Sequence, residues 1–187
     1  MEKQAEKIKD LSNISIESER LVLRPISHNY DRDIFNEFDD KATEFLPRGP
    51  YENLEVVDSF ITESIEQAKN GTNLSLAITT KDGEFLGLGG LKEPCSRVPE
   101  FSLWLKKPAQ GQGFGYELIF AITEWANDEL DFDYLEYCAD SEATQSCRIA
   151  EKLIETYGGK YIGEVPENVR GIDRMTKVYQ ILPRVQK

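Results

Sequence analysis

The sequence predicts a mixed α/β domain. A central, mostly antiparallel sheet of about seven strands carries helices on both faces, in the order βααβββαβαββ. Three observations predict it. Apolar residues alternate with period two in short segments and recur with helical spacing in others, and the two kinds interleave along the chain. A glycine-rich stretch stands between one strand and one helix. At 187 residues the chain is long enough for one domain with a sizeable core and too short for two ordinary ones.

The elements follow in order. "RLVLRPI" (Arg20 to Ile26) is a strand of branched residues stopped by Pro25, and "NYDRDIFNEF" then aligns Ile34, Phe35 and Phe38 on one helical face. Leu54, Val57, Ile61, Ile65 and Ala68 mark a second helix that stops at Asn70-Gly71. "NLSLAI" and "FLGLGGL" form a hairpin about Asp82-Gly83. "EFSLWLK" points Phe101, Leu103 and Leu105 to one side and Ser102, Trp104 and Lys106 to the other. After the glycines, Phe114, Leu118, Ile122 and Trp125 share a helix face, with Glu117 off it. "YLEYCAD" is a strand. Ala143, Cys147, Ala150, Ile154 and Tyr157 stripe another helix closed by Gly158-Gly159, and "KYIGEV" and "RMTKVYQIL" end the chain as strands. Residues 1–16 are expected to be a charged extension ahead of a single domain over 17–187.

Composition excludes several classes. With 34 acidic against 22 basic residues the net charge is −12, which opposes nucleic-acid binding because that depends on neutralising phosphates. The longest apolar runs fall short of a membrane span, and the first residues lack the apolar core of a secretory signal, so a cytoplasmic protein is expected. Three cysteines without a CxxC pair and one histidine, His28, supply neither a zinc site nor a disulfide framework, and no metal is expected. His28 lies in the polar segment "SHNYDRD" and reads as a solvated or capping side chain.

The stretch "KKPAQGQGFGYELIFAITEWA" opens a helix with three glycines in five residues. A helix start leaves N–H groups unpaired and carries the positive end of the macrodipole; glycines let the backbone wrap an anion closely and adopt positive φ. The stretch therefore asks for a phosphate group, and a pyrophosphate suits its length. It fits neither the dinucleotide fingerprint nor the P-loop, which needs a terminal G-K-[ST].

Gln110-Gly111-Gln112-Gly113-Phe114-Gly115 does match the Q/R-x-x-G-x-G/A pattern of acetyl-CoA-binding enzymes. On that motif, with "ERLVLRPI" before it, "PEFSLWL" leading into it and "SCRIAEKL" after it, the chain resembles the GNAT superfamily of N-acetyltransferases. Within the superfamily it is most similar to the Rim-type branch, which includes enzymes acetylating ribosomal-protein N-termini. The resemblance spans roughly residues 18 to 182.

The resemblance implies a GNAT-like fold, acetyl-CoA as co-substrate, and direct attack of an amine on the thioester in a ternary complex. It implies that Gln110, Gly111, Gln112, Gly113, Phe114 and Gly115 hold the cofactor. Because a chain of net charge −12 must overcome repulsion locally to bind a polyanion, Lys106 and Lys107 just before the loop, and Arg148 on the facing helix, are expected to assist. The oxyanion is then met by a backbone N–H near Trp104 or Leu105, and Glu100 serves as the carboxylate that takes a proton from the amine, directly or through water. The last helix departs from the family: Ala143 stands where relatives have an asparagine and Ala150 where many have a tyrosine acid. Ser146 is left as the candidate partner for the CoA thiolate, and Cys147 reads as core.

The expected acceptor is a peptide N-terminus or a small cationic amine such as a polyamine, which the acidic run "NDELDFDYLEYCAD" would favour if it faced the cleft. An acyl-CoA sensor without turnover is the competing reading, and a homodimer is compatible with the sequence.

Overall fold

The computed structural model describes residues 9–184. Eight strands form one sheet in the order β1-β2-β3-β4-β5-β6-β8-β7. They are β1 (Ile16–Glu17), β2 (Leu21–Pro25), β3 (Asn73–Thr80), β4 (Phe85–Lys92), β5 (Glu100–Leu105), β6 (Leu135–Asp140), β7 (Gly159–Val169) and β8 (Ile172–Ile181). The helices are α1 (Asp31–Glu37), α2 (Leu54–Lys69), α3 (Phe114–Glu129) and α4 (Thr144–Tyr157). The architecture is the expected mixed, mostly antiparallel one, with the two-residue β1 added at the edge.

Two apolar cores lie on opposite faces of the sheet. One joins Phe101, Leu105, Leu135 and Tyr137 of the strands to Leu118 and Ile122 of α3 and to Cys147, Ala150 and Leu153 of α4. The other joins Ala77, Phe85 and Leu88 to Ile34 of α1 and to Val57 and Ile61 of α2, with Trp104 packed against it. Strand alternation in β5 thus feeds both layers, as the pattern "EFSLWL" predicts. Asn53 caps α2 by accepting from the Val56 N–H at 3.0 Å.

Two boundaries move. Leu11 is fully buried, its N–H donates to the Ala68 carbonyl at 2.9 Å, and Lys9 Nζ reaches Glu129 at 2.6 Å. Lys9 to Ile16 therefore belong to the packed body, ahead of the boundary expected at residue 17, because the Leu11 side chain joins the core on the α3 face; residues 1–8 lie outside the described part. The final hairpin is also longer than expected. Arg170 and Gly171, with φ of 53° and 84°, make a two-residue turn of the kind that continues strand twist, so β7 and β8 pair out to Val169 and Ile172.

Candidate active site

The sheet splits between β5 and β6. These two strands run parallel and share a single ladder pair, Glu100 with Glu136, reinforced by the Glu136 N–H donating to the Pro99 carbonyl at 2.8 Å. Past that point both strands continue, to Leu105 and Asp140, without pairing to each other, and leave a wedge toward the C-terminal end of β5. The Lys106 N–H donates to Leu86 of β4 at 2.8 Å, while the Pro99 carbonyl faces β6. Alternation between these two anchors turns the backbone groups of Phe101, Leu103 and Leu105 into the wedge and those of Ser102 and Trp104 toward β4. Of the two positions expected to supply an oxyanion donor, Leu105 thus faces the wedge. Trp104 does not; its indole instead packs on Phe38 and Phe85 at centroid distances of 4.9 and 5.9 Å.

The wide end of the wedge opens on the glycine loop. Gly111 and Gly113 have φ of 77° and 83°, and Gly113 is the N-cap of α3. The first helical bond is from the Glu117 N–H to the Gly113 carbonyl at 3.2 Å, so the N–H groups of Gly111 to Tyr116 have no protein acceptor among the described residues. Space is left for an anion at Gly111, where an added Cβ would meet nothing within 4 Å. Gly115 has a different role. A Cβ there would meet Ile149 of α4 at 3.0 Å, so its glycine lets α3 and α4 approach. Gln110 ties the loop to the strand by donating from Nε2 to the Leu105 carbonyl at 2.9 Å, and Gln112 does the same toward the Pro108 carbonyl at 2.6 Å. Free N–H groups, a helix dipole and room for oxygen atoms are what a diphosphate requires.

One cation at this loop is a residue that sequence reasoning missed. Arg20, just before β2, places its guanidinium 4.4 Å over the Phe114 ring, donates from Nη1 to the Gln112 carbonyl at 3.1 Å and pairs through Nε with Glu117 at 2.6 Å. Burial alone would lift the Glu117 carboxyl, but the Arg20 N–H, the Ser18 hydroxyl and the Arg20 guanidinium together hold it below its ordinary value. Lys106, expected beside the phosphates, is instead bound to Glu84 at 2.7 Å and mostly covered. Lys107 reaches Gln110 Oε1 at 3.3 Å. The one signal for Arg20 in the sequence was its place in "ERLVLRPI", which says nothing of a partner 97 positions away.

At the narrow end, Glu100 and Glu136 sit side by side on the face opposite α3 and α4, where no helix among the described residues covers β6. Lys92 Nζ holds Glu100 at 2.6 Å. Glu136 has no ion-pair partner among the described residues, and burial, then the neighbouring Glu100, raise its carboxyl against the opposing effect of Lys92. The rest of the acidic run does not meet the cleft unpaired. Asp128 binds Arg184, Glu129 binds Lys9, Asp131 and Asp133 bind Arg97, and Asp140 binds Arg174. Burial, followed by Glu100 and Glu136, pushes the Cys138 thiol up to about 12, so it is no nucleophile at neutral pH. His28 is exposed and lies 3.1 Å from Asp58, remote in its contacts from the wedge.

Ser146 stands in the first turns of α4 with its Oγ 2.9 Å from the Tyr137 hydroxyl, and Cys147 beside it is buried as expected. Glu100, Ser146 and the glycine loop are therefore distributed around one split in the sheet.

The sheet is thus opened between two parallel strands, with an anion cradle beyond one end of the split and two carboxylates at the other. The profile of the acetyltransferase (GNAT) domain matches residues 20–153, and the chain belongs to that family. Its fold is similar to spermidine N-acetyltransferase from Vibrio cholerae, solved with CoA and spermine (19% identity, 89% of this chain and 97% of that one, TM-score 0.76). It is also similar to RimL, a ribosomal L7/L12 α-N-protein acetyltransferase in complex with coenzyme A (16% identity, 92% and 100%, TM-score 0.78). A Salmonella typhimurium acetyltransferase that modifies the N-terminal serine of L7/L12 aligns equally well (18% identity, 90% and 99%, TM-score 0.75). No curated protein sequence is significantly similar to the chain. GNAT acetyltransferases use acetyl-CoA as co-substrate, and the cradle at Gly111 to Tyr116 fits its diphosphate. No helix among the described residues is long and apolar enough to cross a membrane.

Proposed function

We propose that the protein transfers the acetyl group of acetyl-CoA to a primary amine by direct attack in a ternary complex. The observation that carries this reading is the wedge between β5 and β6 leading from the glycine cradle to the Glu100 and Glu136 pair. From Glu100 to Leu105 the strand runs about 16 Å, at roughly 3.3 Å per residue, the reach of an extended arm linking a diphosphate to a thioester.

Each group then has a task. Glu136, with its raised carboxyl, takes a proton from the incoming ammonium directly or through water, while Glu100, fixed by Lys92, keeps the pocket negative. The Ser146 hydroxyl meets the departing sulfur, and the Leu105 N–H, at the cradle end of the strand, meets the carrier arm. Two adjacent carboxylates against one lysine favour a cationic acceptor, a polyamine or a peptide N-terminus, the acceptor kinds that the fold's relatives are named for.

The test is thiol release from acetyl-CoA with spermine, spermidine, a serine-initial peptide and an aminoglycoside as acceptors. Acceptor-dependent release is expected with at least one. CoA binding without any such release would make the chain a sensor, the reading that Ala143 and Ala150 invite.

Arg20 gives a sharper check on the cofactor end. Replacing it with Gln removes the tie to the Gln112 carbonyl and the stack on Phe114, which shape the cradle, so the KM for acetyl-CoA should rise about 10-fold with kcat nearly unchanged. Replacing Lys106 and Lys107 together with Gln should raise it only about two- to threefold, and less at high salt, because Glu84 holds Lys106 and Lys107 is exposed to solvent and screened. The reverse ranking would return the phosphate contact to the lysines.

A further inference from the structure

We propose that Tyr137 is a positioning residue for acetyl transfer: its hydroxyl donates to Ser146 Oγ and so leaves the Ser146 proton free to meet the sulfur of the departing CoA. The inference rests on the reading of Ser146 given above. Tyr137 is 3% exposed, on the strand that forms one wall of the wedge, with its ring 5.6 Å from that of Phe101 on the other wall. A buried phenol must find a polar partner, and the partner here, at 2.9 Å, is Ser146 Oγ.

The direction of that bond follows from chemistry. A phenol is a far stronger acid than an aliphatic alcohol, so Tyr137 is the better donor and Ser146 the better acceptor. Burial pushes the Tyr137 hydroxyl up to about 12, which keeps its proton in place at neutral pH. A serine inside a helix otherwise turns its proton back to the carbonyl four residues earlier. With its oxygen occupied by Tyr137, Ser146 can direct its own O–H outward. As the tetrahedral adduct collapses, the C–S bond breaks, its electron pair moves to sulfur, and the Ser146 O–H hydrogen-bonds to that charge; the thiolate is protonated by solvent on release. No proton leaves Tyr137.

Tyr137→Phe keeps the ring and removes the hydroxyl. With the acceptor selected by the panel above, it should lower kcat about 3- to 10-fold and leave the KM for acetyl-CoA within about twofold, while Ser146→Ala lowers kcat at least as much. In the double variant the losses should not multiply, because Tyr137 acts only through Ser146. A full-rate Tyr137→Phe beside an impaired Ser146→Ala would overturn the proposal and leave the reading of Ser146 standing. So would losses that multiply. A full-rate Ser146→Ala, or a panel without any acceptor, would overturn both.

Discussion

Gly113→Val should abolish acetyl-CoA binding while the protein stays folded. Gly113 is the N-cap of α3 at φ 83°, a conformation that costs an L-residue about 1–2 kcal/mol and a β-branched one more. An added Cβ would also stand 3.4 Å from Arg20 Nη2, and the valine methyls beyond it would enter the space in front of the free N–H groups. The expected result in calorimetry is a loss of at least about 100-fold in affinity for CoA, because a diphosphate displaced from the cradle loses several charge-assisted bonds at once. Gly171→Val is the control. It imposes similar strain, at φ 84°, in the β7–β8 turn with nothing within 4 Å, and should lower Tm without changing CoA affinity. Unchanged affinity in a folded Gly113→Val protein would remove the diphosphate from this loop.

Replacing Glu100 and Glu136 together with Gln should lower kcat/KM by about 10²- to 10⁴-fold, the usual range for losing a general base. Glu136→Gln should account for most of it. The carboxyl of Glu136 is raised above its ordinary 4.5 by burial and by Glu100, and a base works only when ionised. The acid limb of kcat/KM should therefore lie above that value in the wild type, and the variant's deficit should shrink at high pH, where the acceptor amine is already neutral. Stability separates a chemical loss from a folding one. A carboxyl raised in the folded state holds its proton more tightly there than in the unfolded chain, so stability falls as pH climbs from the ordinary value through the raised one. Glu136→Gln removes that penalty and should match or exceed the wild-type Tm at pH 7. Wild-type rates across the pH range would return both carboxylates to the solvated surface.

Much of this site was legible from local pattern. The period-two alternation of "EFSLWL" already distributed Leu105 and Trp104 to opposite faces, and the glycines before Tyr116 and Glu117 already marked a helix mouth with free donors. Both are properties of neighbouring residues, whose φ preferences and side-chain directions act over one turn or one pleat. Lys106 is the instructive failure. Its position beside the loop suggested a phosphate contact, yet the strand pairing of β4 with β5 brings Glu84 within 2.7 Å of its ammonium.

The sequence by itself determined the element order and the glycine loop at a helix mouth; the family resemblance it carries marked Ala143 and Ala150 as departures and Ser146 as the candidate left on α4. Only the tertiary structure decided what those pieces meet: Arg20 against Glu117 and Gln112, Glu136 beside Glu100, Tyr137 against Ser146, and Leu11 in the core beneath α3. The reason is physical. Helix and strand periods are set by the backbone within a few residues, whereas ion pairs, raised carboxyls and buried hydroxyl bonds depend on which distant strands lie side by side. In this protein the decisive neighbours are β5 and β6, which touch at one pair of glutamates and then part.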